Sequence, residues 1–185
     1  MGIEIEILDW LQTIRTPFLD KIIPAISSLG NAGIVWILLM VVLLIIPKTR
    51  KSGLILFFAL IVDVILCNGI LKNLFQRVRP YNVNTAVTLL VKGPKDYSFP
   101  SGHTAVSFAA ASALFFAKEK KLWIPALVLA VMIAFTRLYL YVHYPTDILG
   151  GVAVGILSGF IGYMIAMKLQ TYMSRKKSKG DTKHE

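Results

Sequence analysis

The sequence predicts an all-α protein that forms a polytopic membrane helix bundle, with about five transmembrane helices and an N-terminal interfacial helix. Two observations carry this prediction. Hydrophobic residues make up 56% of the 185 residues and the mean hydropathy is +0.66, which is too apolar for an ordinary soluble domain. The apolar residues also form separate runs, several of them close to the roughly 20 residues that a helix needs to cross a bilayer.

The N-terminal region is predicted to lie along the membrane surface. Apolar and charged residues recur with helical periodicity in residues 3–15, as in an amphipathic interfacial helix. Residues 17–29 contain two charges and a proline, so they are a poor span on their own. Residues 32–46 are strongly apolar but short, and they reach a spanning length if they recruit the residues before Gly30. Whether residues 7–29 form a sixth span stays open.

Four further apolar runs predict the remaining transmembrane helices, at residues 52–74, 103–117, 122–140 and 148–167. The last run carries Gly151, Gly155 and Gly159 at four-residue spacing. Glycines at this spacing line one helix face and let another helix approach closely. The polar segment 81–100 is predicted to be a loop.

The charge distribution predicts the orientation of the chain. Basic turns at 47–51 and 118–121 and a basic tail at 171–185 all fall on one side if every span crosses. The positive-inside rule makes that side cytoplasmic. We therefore expect one integral membrane domain over residues 1–170, followed by a cytoplasmic tail, with disorder from Lys168 onward. The net charge of +10 reflects this topology and does not indicate a nucleic-acid partner, because no soluble basic segment with interleaved aromatic residues is present.

Three polar clusters interrupt the apolar pattern, and the first is Lys72 followed seven residues later by Arg79-Pro80. Lys72 and Arg79 would share a face if the helix continued for two turns, although Pro80 disfavours helical geometry at Arg79. Two cations at the end of a span suit a phosphate group. Taken alone, they are more typical of basic side chains that reach the lipid headgroups.

The second cluster is Ser101-Gly102-His103, which follows Pro100 and opens an apolar run. Ser101 is a favourable N-cap, and the first-turn amides of a helix form an anion site. Gly102 allows the backbone to approach an oxyanion without a Cβ atom. His103 would then lie next to any anion that these amides bind.

The third cluster joins Arg137, His143 and Asp147 across the turn between the last two spans. A carboxylate four residues after a histidine can accept one imidazole N–H, which fixes the tautomer and leaves the other nitrogen free to attack. The alternative is a His–Asp pair that only caps the helix.

Together the clusters resemble the type 2 phosphatidic acid phosphatase family, over about residues 50–165. The matching pattern is Lys72-x6-Arg79-Pro80, Pro100-Ser101-Gly102-His103 and Arg137-x5-His143-x3-Asp147. One departure is Thr136, where the family usually has Ser; the hydroxyl is retained. The resemblance implies that His143 is the nucleophile and forms a phosphohistidine, that Asp147 orients it, and that His103 protonates the leaving oxygen and later activates water. It implies phosphate binding by Lys72, Arg79, Ser101, Gly102 and Arg137, with no metal and no cofactor.

The resemblance also implies a substrate and a location. Extramembrane segments are too short for a soluble substrate domain, so a lipid phosphate is expected to enter laterally from the bilayer of the cell membrane. We favour undecaprenyl diphosphate, cleaved at the extracytoplasmic face; phosphatidate, phosphatidylglycerol phosphate and lipid A phosphate are alternatives. No protein partner is evident.

Two function classes compete with a lipid phosphatase. A haloperoxidase would use the same pocket for vanadate, but several membrane spans argue against it. A lipid or anion carrier would not need the nucleophile–acid pair of His143 and His103. Asp63, an acid within a predicted span, is interpreted as structural, for example as a hydrogen-bonding partner of another helix.

Overall fold

The computed structural model describes residues 2–181, and this part of the chain contains helices and no strand. The helices are α1 (Ile3–Thr13), α2 (Pro17–Leu29), α3 (Ile34–Ile45), α4 (Arg50–Asp63), α5 (Lys72–Phe75), α6 (Pro80–Val83), α7 (Gly102–Phe116), α8 (Trp123–Tyr139) and α9 (Pro145–Asp181). His184 and the rest of the last four residues of the predicted tail lie outside the described residues.

The predicted all-α membrane bundle is confirmed. Two helical stretches of the described chain are long and apolar enough to cross a membrane, Arg50–Val83 and Pro145–Lys176. The pair α2 and α3 reaches that length as one span bent by 44°. The apolar helices α7 and α8 are shorter, at 15 and 17 residues. At 1.5 Å per residue they extend about 22–26 Å, slightly less than the thickness of a hydrocarbon core.

The N-terminal helix α1 has two apolar faces. One contains Leu8 and Leu11, which are buried against Tyr141 and Tyr144 in the turn between α8 and α9. The other is exposed and includes Trp10, as expected for a helix in the membrane interface. The predicted interfacial helix therefore also packs on the turn that carries His143.

The break between α2 and α3 is a single 3₁₀ turn, Asn31–Gly33. Ala32 and Gly33 both have positive φ, at 50° and 67°, so a continuous α-helix is not possible here. A Cβ atom added at Gly30 would lie 2.8 Å from the imidazole of His103. The bend is thus in direct contact with a predicted catalytic residue.

The second predicted span differs from a regular helix. α4 continues into a π-helical segment, Val64–Leu71, and then into the short α5. The chain leaves the helix at Gln76, whose φ of 45° is left-handed. The helix therefore ends before Arg79, in the direction that Pro80 indicated, and Arg79 reaches Lys72 through a loop.

The long helix α9 packs on α7 and α4 along its glycines. A Cβ atom on Gly155 would lie 2.5 Å from the carbonyl oxygen of Ala105, and one on Gly162 would lie 2.4 Å from the backbone of Ala59. This close approach agrees with the predicted glycine face. The predicted disorder from Lys168 onward is not found, because α9 continues as one helix to Asp181.

Candidate active site

Six of the eight predicted site residues line one cavity, where the ends of α5 and α8 meet the start of α7. The cavity has a volume of about 280 Å³, and the six residues are Lys72, Arg79, Gly102, His103, Arg137 and His143. The other two, Ser101 and Asp147, are fully buried. The fold therefore brings the three sequence clusters together in one place.

His143 lies in the turn between α8 and α9, and both of its ring nitrogens have partners. Nδ1 is 3.3 Å from Oδ2 of Asp147, and Nε2 is 3.2 Å from a terminal nitrogen of Arg79. Because arginine can only donate, Nε2 is the acceptor and Nδ1 carries the proton that bonds Asp147. Burial lowers the pKa of His143 to about 3, although the hydrogen bond to Asp147 opposes the shift. The imidazole is therefore neutral, with its lone pair on Nε2.

The carboxylate of Asp147 is fully buried and saturated with donors. Besides His143, Oδ2 accepts from the hydroxyl of Ser98 at 2.5 Å and from the backbone N–H of Tyr144 at 2.9 Å. Oδ1 accepts from Arg77 at 2.7 Å. Three donors other than the histidine thus fix the carboxylate, which in turn fixes the imidazole.

Arg77 links this pair to the N-terminal helix. Its other terminal nitrogen donates to Glu4 of α1 at 2.5 Å, and its guanidinium lies 3.9 Å from the ring centre of Tyr144. Glu4 also accepts from the backbone N–H of Thr146 at 3.0 Å. α1 is therefore tied to the segment that presents His143 and Asp147.

His103 lies in the first turn of α7 beside the bend between α2 and α3. Its Nε2 donates to the side-chain carbonyl of Asn31 at 2.9 Å. Asn31, in the bend between α2 and α3, therefore fixes the orientation of this imidazole.

The two cations of the first cluster share a carboxylate. Asp96, from the loop before α7, accepts from Lys72 through Oδ2 and from Arg79 through Oδ1 at 2.7 Å. Arg79 is further anchored by the carbonyl oxygens of Asp96 and Val142 at 2.8 and 2.7 Å. Burial by itself would raise the pKa of Asp96, but the hydrogen bond and charge of Lys72, together with the charge of Arg79, lower it to about 2. An anion therefore already bridges these two cations.

Arg137 keeps part of its guanidinium unpaired. One terminal nitrogen donates to the hydroxyl of Ser27 in α2 at 2.5 Å. Its Nε is buried and has no hydrogen-bond partner among the described residues. An unpaired buried donor is costly, so Arg137, which lines the cavity, retains unused hydrogen-bonding capacity in its guanidinium.

The start of α7 differs in part from its predicted geometry. Ser101 occupies the N-cap position, but its side chain does not cap the helix; its hydroxyl accepts from Thr104 at 3.0 Å. A Cβ atom on Gly102 would lie 3.8 Å from Nζ of Lys72, so a side chain there would extend into the space beside this cation. The hydroxyl of Thr136 donates to the carbonyl of Ile133 at 2.6 Å.

The PAP2 superfamily model matches residues 52–170, more than half of the chain. This protein belongs to the PAP2 superfamily. It is a membrane lipid phosphatase of that family.

Three PAP2 relatives illustrate the similarity. The chain is 29% identical to the undecaprenyl-diphosphatase of Sulfolobus acidocaldarius, with 89% of this chain and 79% of that protein covered. The crystal structure of the transmembrane PAP2-type phosphatidylglycerolphosphate phosphatase from Bacillus subtilis aligns with a TM-score of 0.72 and 29% identity, over 89% of this chain and 85% of that one. Aquifex aeolicus LpxE aligns with a TM-score of 0.75 and 29% identity, over 88% and 95%.

Several residues of this PAP2 site were not predicted from the sequence. They are Ser27, Asn31, Asp96, Ser98 and the Glu4–Arg77 pair. Asp96 and Ser98 lie shortly before the motif that carries His103, so proximity to a motif is a signal for them. Ser27 and Asn31 lie on either side of Gly30, before the first strongly apolar run, and nothing in their residue types alone connects them with the site.

Proposed function

We propose that this enzyme hydrolyses the terminal phosphate of a membrane lipid phosphate through a phosphohistidine on His143. One observation carries the proposal. The same cavity is lined by Lys72, Arg79 and Arg137 and by both His103 and His143, and the buried carboxylate of Asp147 orients His143 through its Nδ1–H.

The first chemical step follows from the protonation of His143. Nε2 carries the lone pair, so it attacks phosphorus and forms a P–N bond while the P–O bond to the lipid breaks. The ring becomes positively charged at this point, and Asp147 stabilises it through the Nδ1–H hydrogen bond. The imidazolium form of His103, which the charge of the bound phosphate favours, gives one proton to the departing lipid oxygen and becomes neutral.

The second step releases the phosphate. His103, now neutral, takes a proton from a water molecule whose oxygen attacks phosphorus. The P–N bond breaks, its electrons return to His143, and inorganic phosphate leaves. The net reaction replaces the leaving group with water; that leaving group is a lipid monophosphate when the substrate is a diphosphate and a lipid alcohol when it is a monophosphate.

The phosphate oxygens are bound by fixed positive charge. Lys72, Arg79 and Arg137 line the cavity, and the backbone N–H of Gly102 belongs to a helix N-terminus. These groups carry enough charge for the phosphoryl group, so the proposed mechanism has no metal step. Contact between Ser101 and phosphate is kept as a prediction.

We propose undecaprenyl diphosphate as the substrate, which the similarity to the Sulfolobus undecaprenyl-diphosphatase supports. Phosphatidylglycerol phosphate is the principal alternative, because the aligned Bacillus structure is a phosphatidylglycerolphosphate phosphatase. Phosphatidate and lipid A phosphates are further alternatives. The substrate is expected to enter laterally, since most of the chain is an apolar bundle.

We place the cavity on the extracytoplasmic side, on the basis of the basic turns at 47–51 and 118–121. In a Cys67→Ser background, Thr85→Cys should react with a membrane-impermeant maleimide on intact cells, and Ser174→Cys should react only after lysis. The opposite labelling pattern would reverse the orientation.

Phosphate release by the purified enzyme in detergent tests the proposed function. The panel comprises undecaprenyl diphosphate, phosphatidylglycerol phosphate, phosphatidate and lipid A, with His143→Ala as the inactive control. We expect the highest kcat/KM with the diphosphate. Higher kcat/KM for another lipid would replace the substrate, and absence of release from every lipid would favour a carrier.

A further inference from the structure

Asp63 is a cavity residue that the proposed mechanism does not use. It ends α4, its side chain is 1% exposed, and its Oδ1 has no hydrogen-bond partner among residues 2–181. Asp63 lines the same cavity as Lys72, His103 and His143. The expected structural role, a hydrogen bond to another helix, is therefore absent for this oxygen.

The π-helical segment explains how Asp63 reaches the cavity. Nine residues separate Asp63 from Lys72, which in a regular α-helix would put them on opposite faces. The intervening segment, Val64–Leu71, has the wider i→i+5 bonding, so each residue turns the chain less. Asp63, Asn68 and Lys72 consequently all line the cavity.

The positions of Asn68 and Lys72 show where Asp63 lies relative to the proposed phosphate site. Oδ1 of Asn68 and Nζ of Lys72 lie 3.5 and 3.8 Å from the same point, the Cβ position of Gly102. Asn68 is therefore level with the proposed phosphate site. Asp63 precedes Asn68 by five residues, about one turn of the π segment, which places it about 5 Å further along the helix toward the centre of the span.

A carboxyl group at such depth without a partner is destabilising, and buried polar groups in membranes usually serve a ligand or a second polar group. A lipid phosphate enters with its chain toward the bilayer centre. The group that joins the scissile phosphorus to the chain should therefore lie at the depth of Asp63. In a diphosphate that group is the inner phosphate. In phosphatidate it is the glycerol backbone with its ester oxygens.

We propose that Asp63, as the neutral carboxylic acid favoured by burial in the membrane, and the side-chain amide of Asn68 form a second polar subsite, which donates hydrogen bonds to an oxygen of the leaving group on the membrane side of the scissile phosphorus. The subsite rests on the proposed lipid phosphatase function. It selects lipids whose leaving group carries a second oxygen-bearing group, with the inner phosphate of a prenyl diphosphate as the preferred ligand.

Matched substrate pairs test the subsite through KM. The first pair is farnesyl diphosphate and farnesyl phosphate, and the second is a short-chain phosphatidate and dodecyl phosphate. Asp63→Leu should raise KM about tenfold for farnesyl diphosphate, the effect of losing about one hydrogen bond, and less than twofold for farnesyl phosphate. Asp63→Asn, which keeps hydrogen-bonding capacity, should stay within threefold of the parent enzyme. Val62→Leu, a neighbour outside the cavity lining, is the control and should leave every KM unchanged.

The outcomes distinguish a failure of the subsite proposal from a failure of the substrate proposal. A selective KM increase within the farnesyl pair identifies the inner phosphate as the ligand, and a selective increase within the phosphatidate pair identifies the glycerol oxygens. In the second case the diphosphate substrate is wrong while the subsite stands. Equal changes for both members of each pair, or no change in Asp63→Leu, would overturn the subsite. Thermal unfolding of Asp63→Leu should occur at or above the parent temperature, because the variant removes an unpartnered buried polar group.

Discussion

Replacing Asp96 by Asn should make the enzyme bind phosphate-like anions more tightly. In the substrate-free structure its carboxylate bridges Lys72 and Arg79, the two cations proposed to bind the substrate phosphate. A phosphate must displace this carboxylate before it contacts both cations. Asparagine has nearly the same shape but no charge, so it competes less well.

The size of the effect follows from the exposure of Asp96. Its pKa falls from 3.8 to about 2, which in a site closed to water would correspond to about 2.5 kcal/mol. The side chain is 51% exposed, and solvent screening reduces its pairing to about 1 kcal/mol. A loss of that competition corresponds to about fivefold tighter binding of the anion.

The assay is competitive inhibition by vanadate during lipid phosphate hydrolysis. We expect the inhibition constant of Asp96→Asn to be about fivefold lower than that of the parent enzyme. Because the depressed pKa keeps Asp96 ionised at all pH values well above 2, the ratio should be constant between pH 5 and 8. The competition disappears only as the pH falls through about 2.

A matched control separates local competition from net charge. Glu6→Gln removes one exposed carboxylate from α1 without contact to the cavity, so it should leave vanadate inhibition unchanged. An unchanged or weaker inhibition in Asp96→Asn would refute the reasoning. Asp96 would then serve to position Lys72 and Arg79 for the substrate.

Three further results are expected. Asp147→Asn should retain slow turnover, reduced about 10⁴-fold as in a related His–carboxylate arrangement, whereas His143→Ala should have none. If Asp147→Asn and the parent enzyme turned over at equal rates, Asp147 would not orient His143. Phosphate release should survive EDTA, and a strict requirement for added divalent metal would contradict the mechanism. Acidification from pH 6.5 toward 3 should lower the free energy of unfolding by at most about 1.4 kcal/mol per pH unit, because His143 binds a proton more readily in the unfolded chain. Between pH 7 and 5, His143→Gln should therefore lose less thermal stability than the parent enzyme.

The helices were predictable because their apolar runs are long and separated by charged turns. The second span shows where this approach stops. Its composition fits one continuous helix, yet residues 64–71 are π-helical and Gln76 turns the chain out of the helix. The wider turns bring Asp63 and Lys72 to one cavity. The hydrophobic pattern cannot predict this change in the number of residues per turn, because the segment is apolar on all sides.

The tail shows a different limit. Polar and basic residues after Lys168 resemble a disordered segment in composition, but they follow a long helix without an intervening glycine or proline before Gly180. The helix therefore continues to Asp181. Composition predicted solvent exposure there, but it did not determine where the helix ends.

Residue types and spacing were sufficient to predict which motif residues would meet, but not which side chains pair with them. His103 and Asn31 are 72 residues apart, and Arg77 and Glu4 are 73 apart. These contacts depend on the bend at Asn31–Gly33 and on the packing of α1, which no local pattern encodes. Asp96 is similar, because its position between two cations becomes evident only once the loop is folded back onto Lys72.

Rapid acid-free quenching of the enzyme with a ³²P-labelled lipid diphosphate, followed by peptide mapping, tests the central chemical claim most directly. We expect label on the peptide containing His143, stable in alkali and released by acid as a phosphohistidine should be, and no label in His143→Ala. Label on another residue, or turnover by His143→Ala at the parent rate, would contradict the mechanism proposed for this site.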